Sequence, residues 1–567
     1  MHLPTKLPPE VSPEKLLQLL QEHPPGDTFL NYGTAGFRYD AAILSPIMVR
    51  VGIVATLRSW QKQAPVGVMV TASHNDESYN GVKIADPDGG MMTSDGETLA
   101  VEMANERDIQ RLLQKIEQFK TKSDFVPIIH VGRDTRTHSP ALCDLVVQTA
   151  RAMGSAIIDH GIITTPMLHH AVLHGNREYL PLLIPPRPDV TGYFSLLAQS
   201  YHALLATSHT ARDRRAPLVV DAACGVGYAH AQTLHQAIQD LDPTHRPLLV
   251  LNAPGTGPLN EKCGSEHVQK ALQPPTFYDA TADLSTQYCA SLDGDADRIV
   301  FFNVRDDQMR LQDGDKIACL LCRFLQAEYQ ALQADAPSLP PIRLGVVQTA
   351  YANGASTHYL EQVLGPEGIV IAKTGVKYVH HAAAEHFDVG VYFEANGHGT
   401  VLFGPAFYEC MAQADTVLRG KRCRGSVALQ RLSVLPALVN QAVGDALSDL
   451  LLVDAILQIQ GWSPPDWDAI YTDLPSRQAK VLVKDRNIIQ TNENETKCLS
   501  PVQVQEELEI AMAEVKGRAF IRPSGTEDVV RVYAEAPTRA LANQLATKAA
   551  EIVFRLCDGI GEAPVFG

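Results

Sequence analysis

Four short stretches carry side chains whose types and spacing suit phosphate and sugar chemistry. In Val70-Thr71-Ala72-Ser73-His74-Asn75, the apolar run Gly67-Val68-Met69-Val70 delivers a serine into a polar loop. Ser73 lacks the Gly-x-Ser-x-Gly frame of a hydrolase elbow, so a phosphoryl group is the cargo that suits it best. The second stretch is Ser291-Leu292-Asp293-Gly294-Asp295-Ala296-Asp297-Arg298. In an extended loop its alternation turns Asp293, Asp295 and Asp297 to one side, where carboxylates about 4 to 6 Å apart repel strongly unless a cation lies among them. Hard oxygen donors in that number suit Mg2+. They do not suit a calcium EF-hand, whose sixth and twelfth positions should be Gly and Glu and are Arg298 and Val304.

The third stretch is Arg522-Pro523-Ser524-Gly525-Thr526-Glu527, which follows the strand pattern Ala519-Phe520-Ile521 and precedes Arg531 on the next strand. Backbone N–H groups around Gly525, two hydroxyls and two guanidinium groups make a phosphate cradle, although not a Walker loop. In the fourth, Phe393-Glu394-Ala395-Asn396-Gly397-His398-Gly399, Glu394, Asn396 and His398 offer a carboxylate, an amide and an imidazole around permissive glycines. Sugar hydroxyls, which both donate and accept, suit that mixture. Lys373-Thr374-Gly375-Val376-Lys377 and Asn260-Glu261-Lys262-Cys263-Gly264 are further glycine-marked polar loops. Tyr32-Gly33-Thr34-Ala35-Gly36-Phe37-Arg38 combines small residues, which allow close backbone approach, with one fixed cation. Each stretch alone also reads as an ordinary polar turn; their company argues for chemistry.

The elements that must position these loops follow an α/β pattern. Apolar strands at 67–70, 128–132, 218–221, 343–348, 368–372 and 389–393 alternate with helical stretches, one of them spanning Ser94 to Lys122. Such alternation predicts mostly parallel sheets with helices on both faces and ligands at the carboxyl ends of strands. At 567 residues the chain exceeds a single core. Proline clusters at Pro185-Pro186-Arg187-Pro188 and Gly461-Trp462-Ser463-Pro464-Pro465 mark boundaries. With a third boundary where the second α/β unit closes beyond Leu292, they give parts at 1–188, 189–306, 307–461 and 462–567. The expected fold class is three successive α/β domains with mixed, mostly parallel sheets, followed by a smaller C-terminal α+β domain.

Composition narrows the function. With 48 basic against 64 acidic residues and a net charge of -16, the chain is no nucleic-acid surface, so any anionic ligand must meet a local positive charge. No apolar run reaches the roughly 20 residues of a membrane span and no leader pattern opens the chain, so no membrane partner and a cytoplasmic location are expected. Of the ten cysteines only Cys319-x-x-Cys322 has metal or redox spacing, and its apolar surroundings predict core thiols on a buried helix. Asn494-Glu495-Thr496 matches a glycosylation sequon, read here as coincidence.

The ordered set Gly-Thr-Ala-Gly-Phe-Arg, Thr-Ala-Ser-His-Asn, Asp-Gly-Asp-Ala-Asp-Arg, Glu-Ala-Asn-Gly-His-Gly and Arg-Pro-Ser-Gly-Thr-Glu-Asp resembles the α-D-phosphohexomutase superfamily over essentially the whole chain. Asn396, where related hexose mutases typically carry Ser, makes it similar to the branch acting on N-acetylated sugar phosphates, with Tyr32–Arg38 and Leu259-Asn260-x-x-Cys263-Gly264 in support. A tryptophan expected near Glu97 is missing.

The resemblance implies four domains around a central cleft, a phosphorylated Ser73, and Mg2+ held by Ser73, Asp293, Asp295 and Asp297. It implies interconversion of N-acetylglucosamine 6-phosphate and 1-phosphate through a sugar 1,6-bisphosphate that is both intermediate and activator, feeding UDP-N-acetylglucosamine synthesis. Arg522, Ser524, Gly525, Thr526 and Arg531 would bind the phosphate not in transfer. Arg298, Lys373, Thr374, Gly375, Glu394, Asn396 and His398 would bind substrate. His74, Lys83 and Arg38 are the candidates for proton transfer or phosphate contact beside Ser73, and Lys83 would need a depressed pKa to act as a base. The partner is then a small amino-sugar phosphate, and the chain a monomer or homodimer. The alternatives are a phosphoglucomutase or phosphomannomutase, or a non-catalytic sugar-phosphate-binding paralogue.

Overall fold

The computed structural model describes residues 11–33, 36–119, 125–176, 186–208, 217–280, 289–525 and 527–566. Thr34, Ala35, Pro185 and Thr526, which carry parts of the expectations above, lie outside the described residues. The chain forms two compact units, one of residues up to Leu311 together with Ser433–Gly461, the other of Gln312–Leu432 and the chain from Trp462 onward.

The first unit contains a sheet of β1 (Phe37–Asp40), β2 (Val66–Val70), β3 (Tyr79–Ala85), β4 (Ile128–Arg133) and β5 (Ala156–Ile162), in the order β1-β3-β2-β4-β5. Strands β2, β4 and β5 run parallel, while β3 lies antiparallel between β2 and β1. Every residue of β2 is buried, as its unbroken apolar sequence requires of a strand covered on both faces. Helices Ser45–Lys62, Ser139–Ala152 and Thr165–Gly175 pack on β2 and β4. The second sheet orders β6 (Leu218–Asp221), β7 (Leu248–Leu251), β8 (Cys289–Leu292), β9 (Ile299–Arg305) and β10 (Gln308–Gln312) as β10-β9-β8-β6-β7. The returning segment of this unit contributes the helix Ala446–Gln460. Its N-cap Asp445 accepts a 2.8 Å hydrogen bond from Tyr193 Oη, and Ala446 N–H donates to Ala296 O at 3.1 Å.

In the second unit, β11 (Leu344–Thr349), β12 (Ile369–Ala372), β13 (Val389–Phe393) and β14 (Gly399–Phe403) form a sheet in the order β12-β11-β13-β14. A smaller α+β part pairs β15 (Ser476–Leu482), β19 (Val529–Glu535) and β18 (Arg518–Pro523) antiparallel in that order. Helices Val502–Val515 and Arg539–Leu556 cover it, and β16 (Gln490–Thr491) with β17 (Cys498–Ser500) makes a short ribbon. Cys319 and Cys322 are fully buried on helix Gly314–Asp335, and all ten cysteines are free thiols.

The four loops share one placement. In the three larger sheets a parallel set of strands meets an antiparallel neighbour, and the loop joining that antiparallel pair carries the polar residues: β2 to β3 (Ser73), β8 to β9 (Asp293) and β13 to β14 (Glu394). The Arg522 loop joins β18 to β19 in the same way. Strands β3 and β14 are not among the elements the sequence pattern predicts. The helix expected from Ser94 to Lys122 is two helices, Ser94–Asn105 and Ile109–Phe119. Glu106 is extended at the break, and Asp108 caps the second helix by accepting from Gln110 N–H at 2.9 Å. Residues 120–122 lie outside the described residues.

Candidate active site

Ser73 sits where β2 ends, 1% exposed, with the left-handed backbone angle φ of 52° that costs a non-glycine residue on the order of 1 kcal/mol. Two side chains hold it there. Arg136 Nη2 donates to Ser73 O at 3.3 Å and Asn75 O at 2.6 Å, and Asn260 Nδ2 donates to the same two carbonyls at 2.9 Å each. Ser73 N–H donates to Thr71 Oγ1 at 3.0 Å. With its backbone fixed, Ser73 Oγ donates to Asp293 Oδ2 at 2.7 Å and lies 3.3 Å from His74 Nδ1. Arg38 Nη1 reaches Asn75 Oδ1 at 3.2 Å and His74 Nδ1 at 3.5 Å. Gly294 permits the approach of the two loops, because a Cβ there would lie 2.6 Å from Ser73 O.

The three aspartates are buried, and a ligand oxygen from each lies within 4.8 Å of the others. Burial, then Asp297 and Asp295, push the Asp293 carboxyl well above its ordinary value. Lys83 Nζ bridges Asp295 Oδ2 at 3.2 Å and Asp297 Oδ2 at 3.1 Å, and Thr165 Oγ1 donates to Asp295 Oδ2 at 2.6 Å. Asp295 Oδ1 is buried with no hydrogen-bond partner. A compact set of hard oxygens with an unspent acceptor fits a divalent cation such as Mg2+. Arg298 Nε stands 3.9 Å from Asp293 Oδ2 and 3.8 Å from Asp297 Oδ1.

The proton-transfer candidates now differ in charge. Burial lowers the Lys83 pKa, but Asp295 and Asp297 outweigh it and raise the value, opposite to the depression a base would need. Burial, Arg298 and Arg38 hold His74 well below its ordinary value, which keeps it neutral. Burial and Arg298 also lower Arg38.

In the second unit, Arg522 and Arg531 are directly opposed across β18 and β19, and Lys480 on β15 opposes Arg531. Directly opposed residues share a sheet face, so three cations stand in a row where like charges would repel. Arg531 Nε and Thr374 Oγ1 are buried without a hydrogen-bond partner. Ser524 is buried, Gly525 is exposed, and Thr526 lies outside the described residues. In the β13–β14 connection, Glu394 N–H donates to His398 O at 2.9 Å, His398 N–H to Asn396 Oδ1 at 3.0 Å, and Asn396 Nδ2 to Glu394 Oε2 at 3.4 Å. Gly397, at φ of 85°, turns that loop. Lys373 Nζ lies 5.1 Å from the Tyr378 ring centroid, and Gly375 caps the helix Val376–His386.

Residues 313–462 match the family model described as phosphoacetylglucosamine mutase AMG1, domain III. Residues 478–552 match the phosphoglucomutase/phosphomannomutase C-terminal domain, and 52–111 with 97–179 match its alpha/beta/alpha domain I. The human phosphoacetylglucosamine mutase is 41% identical over 95% of this chain and 96% of its own length. Its Arabidopsis thaliana counterpart is 42% identical over 92% and 95%. The chain belongs to the phosphoacetylglucosamine mutase family.

Solved structures of that family superpose on it closely. The Aspergillus fumigatus enzyme, solved with GlcNAc-6P and magnesium, matches with a TM-score of 0.85 at 37% identity, covering 96% of this chain and 98% of the other. An N-acetylglucosamine-phosphate mutase of the α-D-phosphohexomutase superfamily, in its product complex, matches at 0.87 and 36%, covering 96% and 100%. These matches establish the superfamily and the fold expected from the motifs. Arg136, Thr165, Asn260, Tyr351 and Glu495 touch the candidate residues without appearing among them. Of these, the sequence placed Asn260 in a glycine-marked polar loop, Arg136 in a charged loop after a strand, and Glu495 in a sequon read as coincidence.

Proposed function

We propose that the chain interconverts N-acetylglucosamine 6-phosphate and N-acetylglucosamine 1-phosphate, with Ser73 carrying the phosphoryl group and a sugar 1,6-bisphosphate as the intermediate. The observation that carries this reading is the 2.7 Å contact of Ser73 Oγ with Asp293 inside a buried set of three carboxylates. It is supported by the Aspergillus fumigatus structures, one with GlcNAc-6P and magnesium and one of a serine-to-alanine variant with glucose 1,6-bisphosphate. Asp293, Asp295, Asp297 and Ser73 would hold Mg2+, which neutralises charge on a phosphoryl group in transfer.

In the first half-reaction the phosphorus–oxygen bond to Ser73 breaks, a bond to a sugar hydroxyl forms and that hydroxyl loses its proton; in the second a phosphorus–oxygen bond of the bisphosphate to the sugar breaks, the bond to Ser73 Oγ forms again, and the Ser73 hydroxyl proton passes to the sugar oxygen. Neutral His74, 3.3 Å from Ser73 Oγ, is suited to take or return a proton there, while Lys83 and Arg38 supply positive charge. Arg522, Ser524, Gly525, Thr526 and Arg531 are assigned to the phosphate not in transfer. Glu394, Asn396 and His398 are assigned to the sugar, with Arg298, Lys373, Thr374 and Gly375 as further substrate contacts.

The parts 1–188, 189–306, 307–461 and 462–567 are retained as proposed domains, because each of the four main sheets falls within one part apart from β10. We place the enzyme in the cytoplasm, as a monomer or homodimer supplying UDP-N-acetylglucosamine synthesis; no helix among the described residues is long and apolar enough to cross a membrane. A substrate panel with Mg2+ and trace sugar bisphosphate tests the assignment. The expected outcome is a higher kcat/KM for N-acetylglucosamine phosphates than for glucose or mannose phosphates; the reverse order refutes it.

A further inference from the structure

The sequon-like stretch Asn494-Glu495-Thr496 builds a turn between β16 and β17. Asn492 Oδ1 accepts from the N–H groups of Thr496 and Lys497 at 2.9 Å each, and Thr496 Oγ1 donates to Asn494 Oδ1 at 2.7 Å. The turn holds Glu495 in the left-handed region, with φ of 57°, and buries it to 5% exposure. A buried carboxylate held in a strained backbone needs partners, and its two oxygens have different ones. Oε2 accepts from Thr374 N–H at 3.1 Å, and Oε1 faces Arg522 Nη1 at 3.5 Å.

Arg522 is fixed on a second edge, where Nε donates to Tyr351 Oη at 3.2 Å and the guanidinium lies 5.6 Å from the Tyr351 ring centroid. The tyrosine is itself wedged edge-on against Phe520 and Tyr533, with centroids 5.0 and 5.8 Å away. A guanidinium presents its donors in a rigid planar fork, so anchoring two edges sets the direction in which the plane faces.

We infer that Glu495 is a positioning residue for the substrate phosphate, holding the Arg522 guanidinium and the Thr374 loop in one arrangement so that the phosphate meets a formed cradle. The inference rests on reading the Arg522 loop as a phosphate site. A carboxylate is the group required, because both partners are donors and both of its oxygens accept. A glutamine would turn an NH2 toward one donor and lose that contact. Glu495 also offsets the charge of the row formed by Arg522, Arg531 and Lys480. The alternative on the same contacts is a purely local role, since Thr374 precedes the N-terminus of helix Val376–His386, where a negative charge is favourable. A double-mutant cycle separates the two roles, because only action through Arg522 makes the effects of the two substitutions interdependent.

The test uses the full chain, with inorganic phosphate and N-acetylglucosamine 6-phosphate as calorimetric probes alongside steady-state kinetics. In Glu495→Gln the Kd for both probes and the KM rise about tenfold while kcat stays within about twofold. In an Arg522→Ala background the same change adds less than about twofold. Tyr351→Phe, which removes the other anchor, raises the same constants about threefold and keeps the idea testable if Glu495→Gln folds poorly. Unchanged phosphate binding in Glu495→Gln, or a tenfold loss that persists without Arg522, overturns the inference while the phosphate site stands. Unchanged phosphate binding in Arg522→Ala removes the phosphate-site reading itself, and this inference with it.

Discussion

The loops of the first unit and those of the second leave the same position in their sheets, at the connection of an antiparallel pair, but hold opposite chemistry in reserve. Around Ser73 most polar atoms are committed: Arg136 and Asn260 grip the backbone, Thr165 and Lys83 take Asp295 Oδ2, and within the aspartate set an acceptor, Asp295 Oδ1, is left without a hydrogen-bond partner. Around Arg522 the unspent groups are Arg531 Nε, a donor, and the Thr374 hydroxyl, which can donate. Buried polar groups without partners are expensive, so one that persists within a cluster of functional loops is a candidate point for a ligand of complementary charge. On the proposed reading one unit would receive a cation beside a fixed oxygen, the other an anion. On the same reading the oxygen proposed to carry the phosphoryl group is held by several contacts, as a misplacement of about 1 Å can cost a hundredfold in rate.

The largest expected effect tests the reactive half. Ser73→Ala should lower kcat by at least about 10⁴-fold and abolish incorporation of phosphate into the protein, read by intact-mass spectrometry. Retained turnover would reduce the Ser73 loop to scaffolding. A smaller effect sharpens the claim that the loop is held from behind. Asn260→Ala leaves Arg136 on the same two carbonyls, so kcat should fall about tenfold with KM nearly unchanged. A change confined to KM would put Asn260 with the ligand-binding groups instead.

The smallest effect concerns stability. Burial holds His130 at about 3, and His170 and His174 at about 4 and 3, all in the first unit; in the second, His380 at about 4 is the one described histidine with such a shift. Each is neutral in the fold but takes up a proton on unfolding below pH 6.5. Their contribution is therefore fully present above that pH and is lost as the pH falls toward 4. Replacing His174 by Gln should flatten the pH dependence of unfolding between pH 6.5 and 4.5 by about 1.4 kcal/mol per pH unit. Chemical denaturation across that range measures it, and an unaltered slope would show that His174 titrates normally in the fold.

The motifs behind the proposed chemistry were legible because each is local. Ser73 with its apolar approach, the alternating aspartates and the Arg-Pro-Ser-Gly loop each sit within about eight residues, and their order along the chain carries the family. The holding roles of their neighbours were not legible, even where the stretch itself had been noted, as at Asn260 and Glu495. Thr165 opens a helix 130 positions from Asp295, Arg136 and Asn260 reach the Ser73 loop from separate strand connections, and Glu495 looks like a fragment of a glycosylation site until its turn folds inward. Strand β3 escaped notice because the connection before it is eight residues long and lacks the two-residue turn that announces a hairpin. The single helix read across 94–122 ignored Asp108, whose short carboxylate favours a new helix start over a helix interior.

The segment Ser433–Gly461 has a consequence for biosynthesis. The chain completes most of its first unit by Leu311, builds much of the second, then goes back to supply Asp445 to Tyr193 and Ala446 N–H to the carbonyl of Ala296, inside the aspartate loop itself. A ribosome that has released only the first 311 residues has therefore made the serine and all three aspartates without the helix that seats them. The first unit is therefore not closed until translation has passed the segment that ends at Gly461.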